Sequence, residues 1–161
     1  MEGVCSLYKK DLIFKSDAQT QDEVFNEIGT KLLQKGLVND RFIAAIKNRE
    51  KEYPTGLDLS PVAKGLSNVA IPHTEAEYCK TKAIAFVKLN DGITFRNMIV
   101  PDLDLKVKYL FFIINNEKTN QTNVLSDLMS FITNENNMRY LKKLDNTESI
   151  YNFLTNKKGD V

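Results

Sequence analysis

The sequence predicts a single α/β domain, a central mixed β-sheet flanked by helices on both sides. Three observations carry that reading. Helical amphipathic patterns fill the first and last thirds, short apolar runs occupy the middle, and 161 residues suffice for one sizeable core but not two ordinary ones. The domain is read as residues 1–161, with a core over about 7–155 and a polar tail at 156–161.

In residues 7–18, Leu12-Ile13-Phe14 is a candidate edge strand. Thr20-Gln21-Asp22-Glu23 then forms a capping box, in which the hydroxyl and the Glu side chain each satisfy an orphan amide. Val24, Phe25, Ile28, Leu32 and Leu33 share one helical face, and Gly36 supplies the left-handed residue that ends the helix. Asn39 or Asp40 caps a shorter helix, striped by Phe42, Ile43 and Ile46 and ending near Arg49-Glu50. Pro54, Gly56, Ser60, Pro61 and Gly65 make 53–68 read as a long loop. Loops of that length are uncommon in compact domains unless they shape a site.

Val69-Ala70-Ile71 is a short strand stopped by Pro72, which has no amide to give to a sheet. A second strand spans 83–89. Ile93-Thr94-Phe95 opens a further segment that leads through Ile99-Val100-Pro101. Residues 107–114 are almost continuously apolar, the pattern of a central strand covered on both faces. Thr119 or Asn120 caps a helix bearing Val124, Leu125, Leu128, Met129 and Ile132. A short helix at 138–144 follows, and Asn146 or Thr147 opens the last, with Ile150, Tyr151, Phe153 and Leu154 on its apolar side.

Composition removes several function classes. Twenty-two Lys and Arg against twenty-one Asp and Glu leave a net charge of +1, with no general pull toward nucleic acid or an anionic membrane. No apolar run approaches the roughly 20 residues of a spanning helix, so no direct membrane insertion is expected. The first residues lack the pattern of a secretory signal, and Cys5 and Cys79 are too few for a disulfide framework. A cytoplasmic location is expected. His73 is the single histidine, which excludes sites built from two or more. No glycine-rich phosphate loop is present, which argues against a nucleotide-dependent kinase. Neither a metal nor an organic cofactor is expected.

His73 follows the 69–71 strand through Pro72 and lies beside the long loop, so it is placed to be reached by another molecule. Thr74, Glu75 and Glu77 are near enough in sequence to orient its ring. By composition alone a surface histidine without a role is the favoured reading. Asp102 and Asp104 read as a solvated turn.

Arg49-Glu50-Lys51-Glu52-Tyr53-Pro54-Thr55-Gly56-Leu57, followed by Val69-Ala70-Ile71-Pro72-His73-Thr74, resembles the active-site block of the enzyme IIA components of the bacterial sugar phosphotransferase system. The likeness is to the mannitol/fructose superfamily, closest to its galactitol-type branch, and the order of elements agrees over roughly 12–154. The resemblance implies a phosphotransferase whose histidine, here His73, accepts a phosphoryl group from the phosphocarrier protein HPr. The group then passes to a cysteine of a cognate enzyme IIB, which serves sugar uptake through the membrane enzyme IIC. A neutral imidazole is a competent nucleophile for this without metal or activating base. Arg49 matches a family arginine near that ring, and its planar fork suits phosphate oxygens. Thr55 could donate its hydroxyl to the site or shape the turn before Gly56; Glu50 is read as structural. Many mannitol and fructose members carry a second histidine where Gln121 falls here. Its amide can hydrogen-bond the ring or a phosphate oxygen but cannot become a cation.

Two other classes stay open. Similar domains regulate nitrogen metabolism or transcription through their phosphorylation state. An unrelated enzyme with Cys79 as nucleophile is the other.

Overall fold

The computed structural model describes residues 3–118 and 121–156. Five strands, β1 (Tyr8–Ser16), β2 (Gly56–Leu57), β3 (Asn68–Ala70), β4 (Lys82–Arg96) and β5 (Asp104–Asn115), form one sheet in the order β1-β4-β5-β3-β2. β1 runs parallel to β4 and β3 parallel to β5, whereas β4–β5 and β2–β3 are antiparallel. The sheet is therefore mixed. Leu12, Ile13 and Phe14 do lie on an edge strand.

The near-continuous apolar run of β5 has a simple cause: both of its faces are covered. Leu110, Phe112 and Ile114, with Ala83, Ala85 and Val87 of β4, join one buried cluster. Their alternates Tyr109, Phe111 and Ile113, with Ile84 and Phe86, join the other. Against the first face pack α1 (Gln21–Gln34) and α2 (Phe42–Glu52), through Val24, Phe25, Ile28, Leu32, Phe42 and Ile46. Phe25 meets Phe112 edge-on at 5.8 Å, a geometry worth about 0.5–1.5 kcal/mol beyond area burial. Against the second face pack α3 (Gln121–Ile132), α4 (Glu135–Lys143) and α5 (Thr147–Leu154), through Leu128, Ile132, Met138, Leu141, Ile150 and Phe153. None of the described helices is long and apolar enough to cross a membrane.

The Thr20 hydroxyl accepts from the Glu23 N–H at 3.1 Å, as the capping box predicts. The Glu23 carboxylate reaches one residue further back than the pattern implies, accepting from the Gln19 N–H at 2.8 Å. Gly36 adopts the left-handed conformation, φ 75°. α2 runs on to Glu52, so Arg49 lies within its last turn rather than at its end. The predicted caps Thr119 and Asn120 lie outside the described residues.

Three expectations change. The N-cap of α2 is Arg41, which makes no side-chain capping bond, rather than Asn39 or Asp40; the Asn39 side chain instead accepts from the Arg41 N–H. The strand at 83–89 and the segment from Ile93 are one strand, β4, interrupted by a register shift between Lys88 and Ile93. The presumed loop 53–68 contains β2, which pairs Gly56 with Ala70 and Leu57 with Val69. Glycine is required at 56 because a Cβ there would stand 2.6 Å from the Arg96 carbonyl oxygen. Two residues were too few to carry a period-2 signature.

β3 delivers His73. Its regular pairing ends before Pro72, yet the chain stays extended beside β5. The Pro72 carbonyl accepts from the Ile113 N–H at 3.1 Å, and His73 bridges Ile113 in parallel register.

Candidate functional site

His73 sits half-buried in a cleft of about 440 Å³ whose walls include Arg49, Thr74, Glu75, Asn115 and Leu125. Its Nδ1 lies 2.9 Å from the Ile71 carbonyl oxygen. A carbonyl only accepts, so Nδ1 carries the hydrogen and Nε2 keeps the lone pair. Burial lowers the imidazole pKa from its ordinary 6.5; the Ile71 bond pulls the other way, the Arg49 charge lowers it further, and Glu75 raises it. The ring is thus neutral near pH 7, with a defined tautomer and a nucleophilic Nε2.

Arg49 reaches this cleft from the last turn of α2. Its Nη1–H donates to the Glu75 carboxylate at 2.8 Å, and its guanidinium lies over the Tyr53 ring, 5.0 Å from the centroid. Its Nε is buried and has no hydrogen-bond partner among the described residues. Glu75 is also held by the Thr74 hydroxyl, which donates at 2.8 Å. That hydroxyl, and then Arg49, keep the Glu75 carboxyl below its ordinary range.

Glu50, next to Arg49 but on the inward side of α2, is only 2% exposed, and Thr55 only 3%. The Thr55 N–H donates to Glu50 Oε2 at 2.7 Å and its hydroxyl to Oε1 at 2.9 Å. Burial pushes the Glu50 carboxyl up to about 7, although the bonds from Thr55 favour its charged form. The Thr55 carbonyl accepts from the Ile71 N–H at 3.3 Å, and the Ile71 carbonyl holds the His73 ring. An unbroken line of contacts therefore runs from Glu50 through Thr55 and Ile71 to Nδ1.

The structure brings His73 and Arg49 into one cleft. Thr55 does not line it; of the two roles open to Thr55 from sequence, its hydroxyl contacts fit shaping of the backbone. Gln121 opens α3, but its side chain lies outside the described residues. The bond fixing the ring goes to the backbone of Ile71 rather than to Thr74, Glu75 or Glu77. Glu75 instead bridges to Arg49, and Asn115 and Leu125, which sequence reasoning did not name, join walls that also carry Glu77, Glu117 and Lys118. The only signal for Asn115 and Leu125 was position: Asn115 ends the strand that His73 must lie beside. Cys79 is buried, its thiol 3.9 Å from the Glu75 carbonyl oxygen and pushed up in pKa mainly by burial, which disfavours a nucleophilic thiolate. Among the described residues no cluster of three His, Cys, Asp or Glu could hold a metal ion.

The chain is 37% identical over 76 residues to the PTS system galactitol-specific EIIA component of Escherichia coli (strain K12), a stretch covering 47% of each protein. It thus spans about half the length of these curated relatives in the match. It is 24% identical over 146 residues, 89% of its length, to the Bacillus subtilis transcriptional regulator ManR, of which that stretch is 20%. Among solved structures, the complex of Escherichia coli enzyme IIAMTL with phosphorylated enzyme IIBMTL superposes with a TM-score of 0.72 at 20% identity, covering 94% of this chain and 100% of that one. Nitrogen regulatory protein IIA-Ntr from Neisseria meningitidis gives 0.70 at 22% identity, covering 94% and 98%. At these identities the superpositions speak to the fold. The family model for the phosphoenolpyruvate-dependent sugar phosphotransferase system, EIIA 2, matches residues 6–157, and the chain belongs to that family.

Proposed function

We propose that this protein is a phosphoryl carrier in which His73 accepts a phosphoryl group from phosphorylated HPr and passes it to a cysteine of a cognate enzyme IIB. One observation carries the reading: the ring is pinned through Nδ1 to the Ile71 carbonyl, within a cleft it shares with the Arg49 guanidinium.

The transfer balances without a cofactor. The Nε2 lone pair attacks phosphorus as the donor's own bond to phosphorus breaks, its electron pair returning to the donor atom. The His73 ring gains positive charge as the new N–P bond forms. The Ile71 carbonyl, accepting from Nδ1–H, stabilises that charge. Arg49 neutralises charge on the phosphoryl oxygens, and little more than positioning is needed for an in-line transfer of this kind. On release, a cysteine thiolate of enzyme IIB forms an S–P bond and the N–P pair returns to Nε2. Gln121, at the start of α3, is positioned in sequence to offer an amide to the same group.

The relation to the galactitol-specific component supports a galactitol-type sugar; uptake through a membrane enzyme IIC and a cytoplasmic place for the carrier follow from the family. The match to ManR along 89% of the chain favours one second reading, a regulatory module whose phosphorylation state changes binding.

The test is incubation with phosphoenolpyruvate, enzyme I and HPr. Acid-labile phosphate is expected on the wild type and absent from His73→Ala. Equal labelling of the two would overturn the assignment.

A further inference from the structure

Glu75 belongs to no pattern that named the site, yet it occupies the cleft beside the reactive ring. Both of its carboxylate oxygens are committed: Oε1 accepts from the Thr74 hydroxyl and Oε2 from Arg49 Nη1, each at 2.8 Å. Each oxygen of the carboxylate thus has a partner that orients it in the cleft. Arg49 spends only Nη1 on it, and its buried Nε has no partner among the described residues. That Nε is shielded from solvent, so a phosphoryl oxygen meets the guanidinium through its remaining Nη hydrogens while Glu75 keeps its own bond to Nη1.

We propose that Glu75 sets the phosphoryl-transfer potential of His73, acting as a fixed negative charge that keeps the phosphohistidine from becoming too stable. The inference rests on the carrier reading above and concerns how the same site releases its cargo. An arginine alone beside a phosphoryl dianion would favour retention, and a relay that binds its group too tightly stops. Paired with Glu75, Arg49 still orients the group but presents little net charge. The phosphoryl oxygens then meet attraction from Arg49 and repulsion from Glu75 in one cleft. Glu75 is a tuning residue here; no bond forms or breaks on it. Because its side chain is 51% exposed, solvent and salt screen the repulsion, and the effect is a modest one.

The experiment measures the equilibrium constant for phosphoryl exchange between HPr and the full chain, approached from both directions, for wild type, Glu75→Gln and Glu75→Ala. Glutamine removes the charge but keeps one oxygen for Arg49 and turns its amide N–H toward the Thr74 hydroxyl, which can accept. Its expected result is a shift toward phosphorylated His73 of about three- to tenfold at low salt, shrinking at high salt, with onward transfer slowed correspondingly. Alanine should shift it in the same direction. Forward and reverse rates slowed equally, leaving the constant unmoved, would mean that Glu75 merely holds the fold. A shift toward the unphosphorylated form would mean that it serves only to orient Arg49. Either result overturns this inference alone. A wild type that takes no phosphate from HPr overturns the carrier reading and this inference with it.

Discussion

The two edges of the His73 ring stand in opposite surroundings. On the Nδ1 side, Ile71, Thr55 and Glu50 are all at most 3% exposed, and every link between them is a hydrogen bond. On the cleft side, Arg49 and Glu75 are an ion pair with side chains 31% and 51% exposed. The buried side fixes where the ring is and which nitrogen carries hydrogen. The open side holds the charges, where a partner can reach them and where water keeps any one interaction from dominating. The proposed relay needs both: a fixed acceptor atom and an electrostatic grip weak enough to release.

Substitutions on the two sides should therefore fail differently. The largest effect belongs to the ring itself, and His73→Ala should abolish phosphorylation with unfolding unchanged to within about 1 kcal/mol, since the residue is only half-buried. Arg49→Ala comes next. It should raise the transfer barrier by on the order of 2–4 kcal/mol while barely altering stability, and rapid-quench phosphorylation kinetics would show it. Arg49→Lys should recover little, because a point charge lacks the planar fork. A loss of stability as large as the loss of rate would break the contrast between the two sides.

Glu50→Ala should behave in the opposite way. It strands the buried N–H and hydroxyl of Thr55, at a cost of about 1–3 kcal/mol in denaturant unfolding, with slower phosphorylation as a consequence. Unchanged stability with lost activity would place Glu50 on the chemical side instead.

The smallest effect, taken over any one pH unit, is a pH dependence. The Glu50 carboxyl, ordinarily near 4.5, is raised to about 7 in the folded protein. Between those values the folded chain holds a proton that the unfolded chain has released, so stability falls as pH rises. The contribution is complete below pH 4.5 and lost as pH passes through about 7. It changes by no more than about 1.4 kcal/mol per pH unit. His73 acts in the other sense: its lowered pKa gives a contribution present above 6.5 and lost as pH falls through the folded value. The Glu50 slope is therefore read as the difference between wild type and Glu50→Gln. Equal slopes in both would show that Glu50 titrates normally.

Much of the fold was legible because its signals are local. The Thr20 capping box, the left-handed Gly36 and the unbroken apolar run ending at Ile114 each declare themselves within a few residues. The site was legible only in part. The motif named His73 and Arg49, which lie 24 positions apart and share a cleft. The carbonyl of Ile71 carries no side-chain signature, so nothing in the sequence could mark it as the group that orients the ring. The Arg49–Glu75 bridge spans α2 and the turn after His73, and Asn115 reaches the cleft only through the parallel pairing of β3 with β5. β2 was hidden because Gly56 and Leu57 are a strand by partnership with β3, not by pattern.

The most direct test of the central claim is a nitrogen-15 and phosphorus-31 NMR spectrum of the phosphorylated chain, with the histidine labelled. The predicted result is phosphorus bonded to His73 Nε2, with a slowly exchanging hydrogen on Nδ1 held by the Ile71 carbonyl. Phosphorus on Nδ1, or on any residue other than His73, would contradict it.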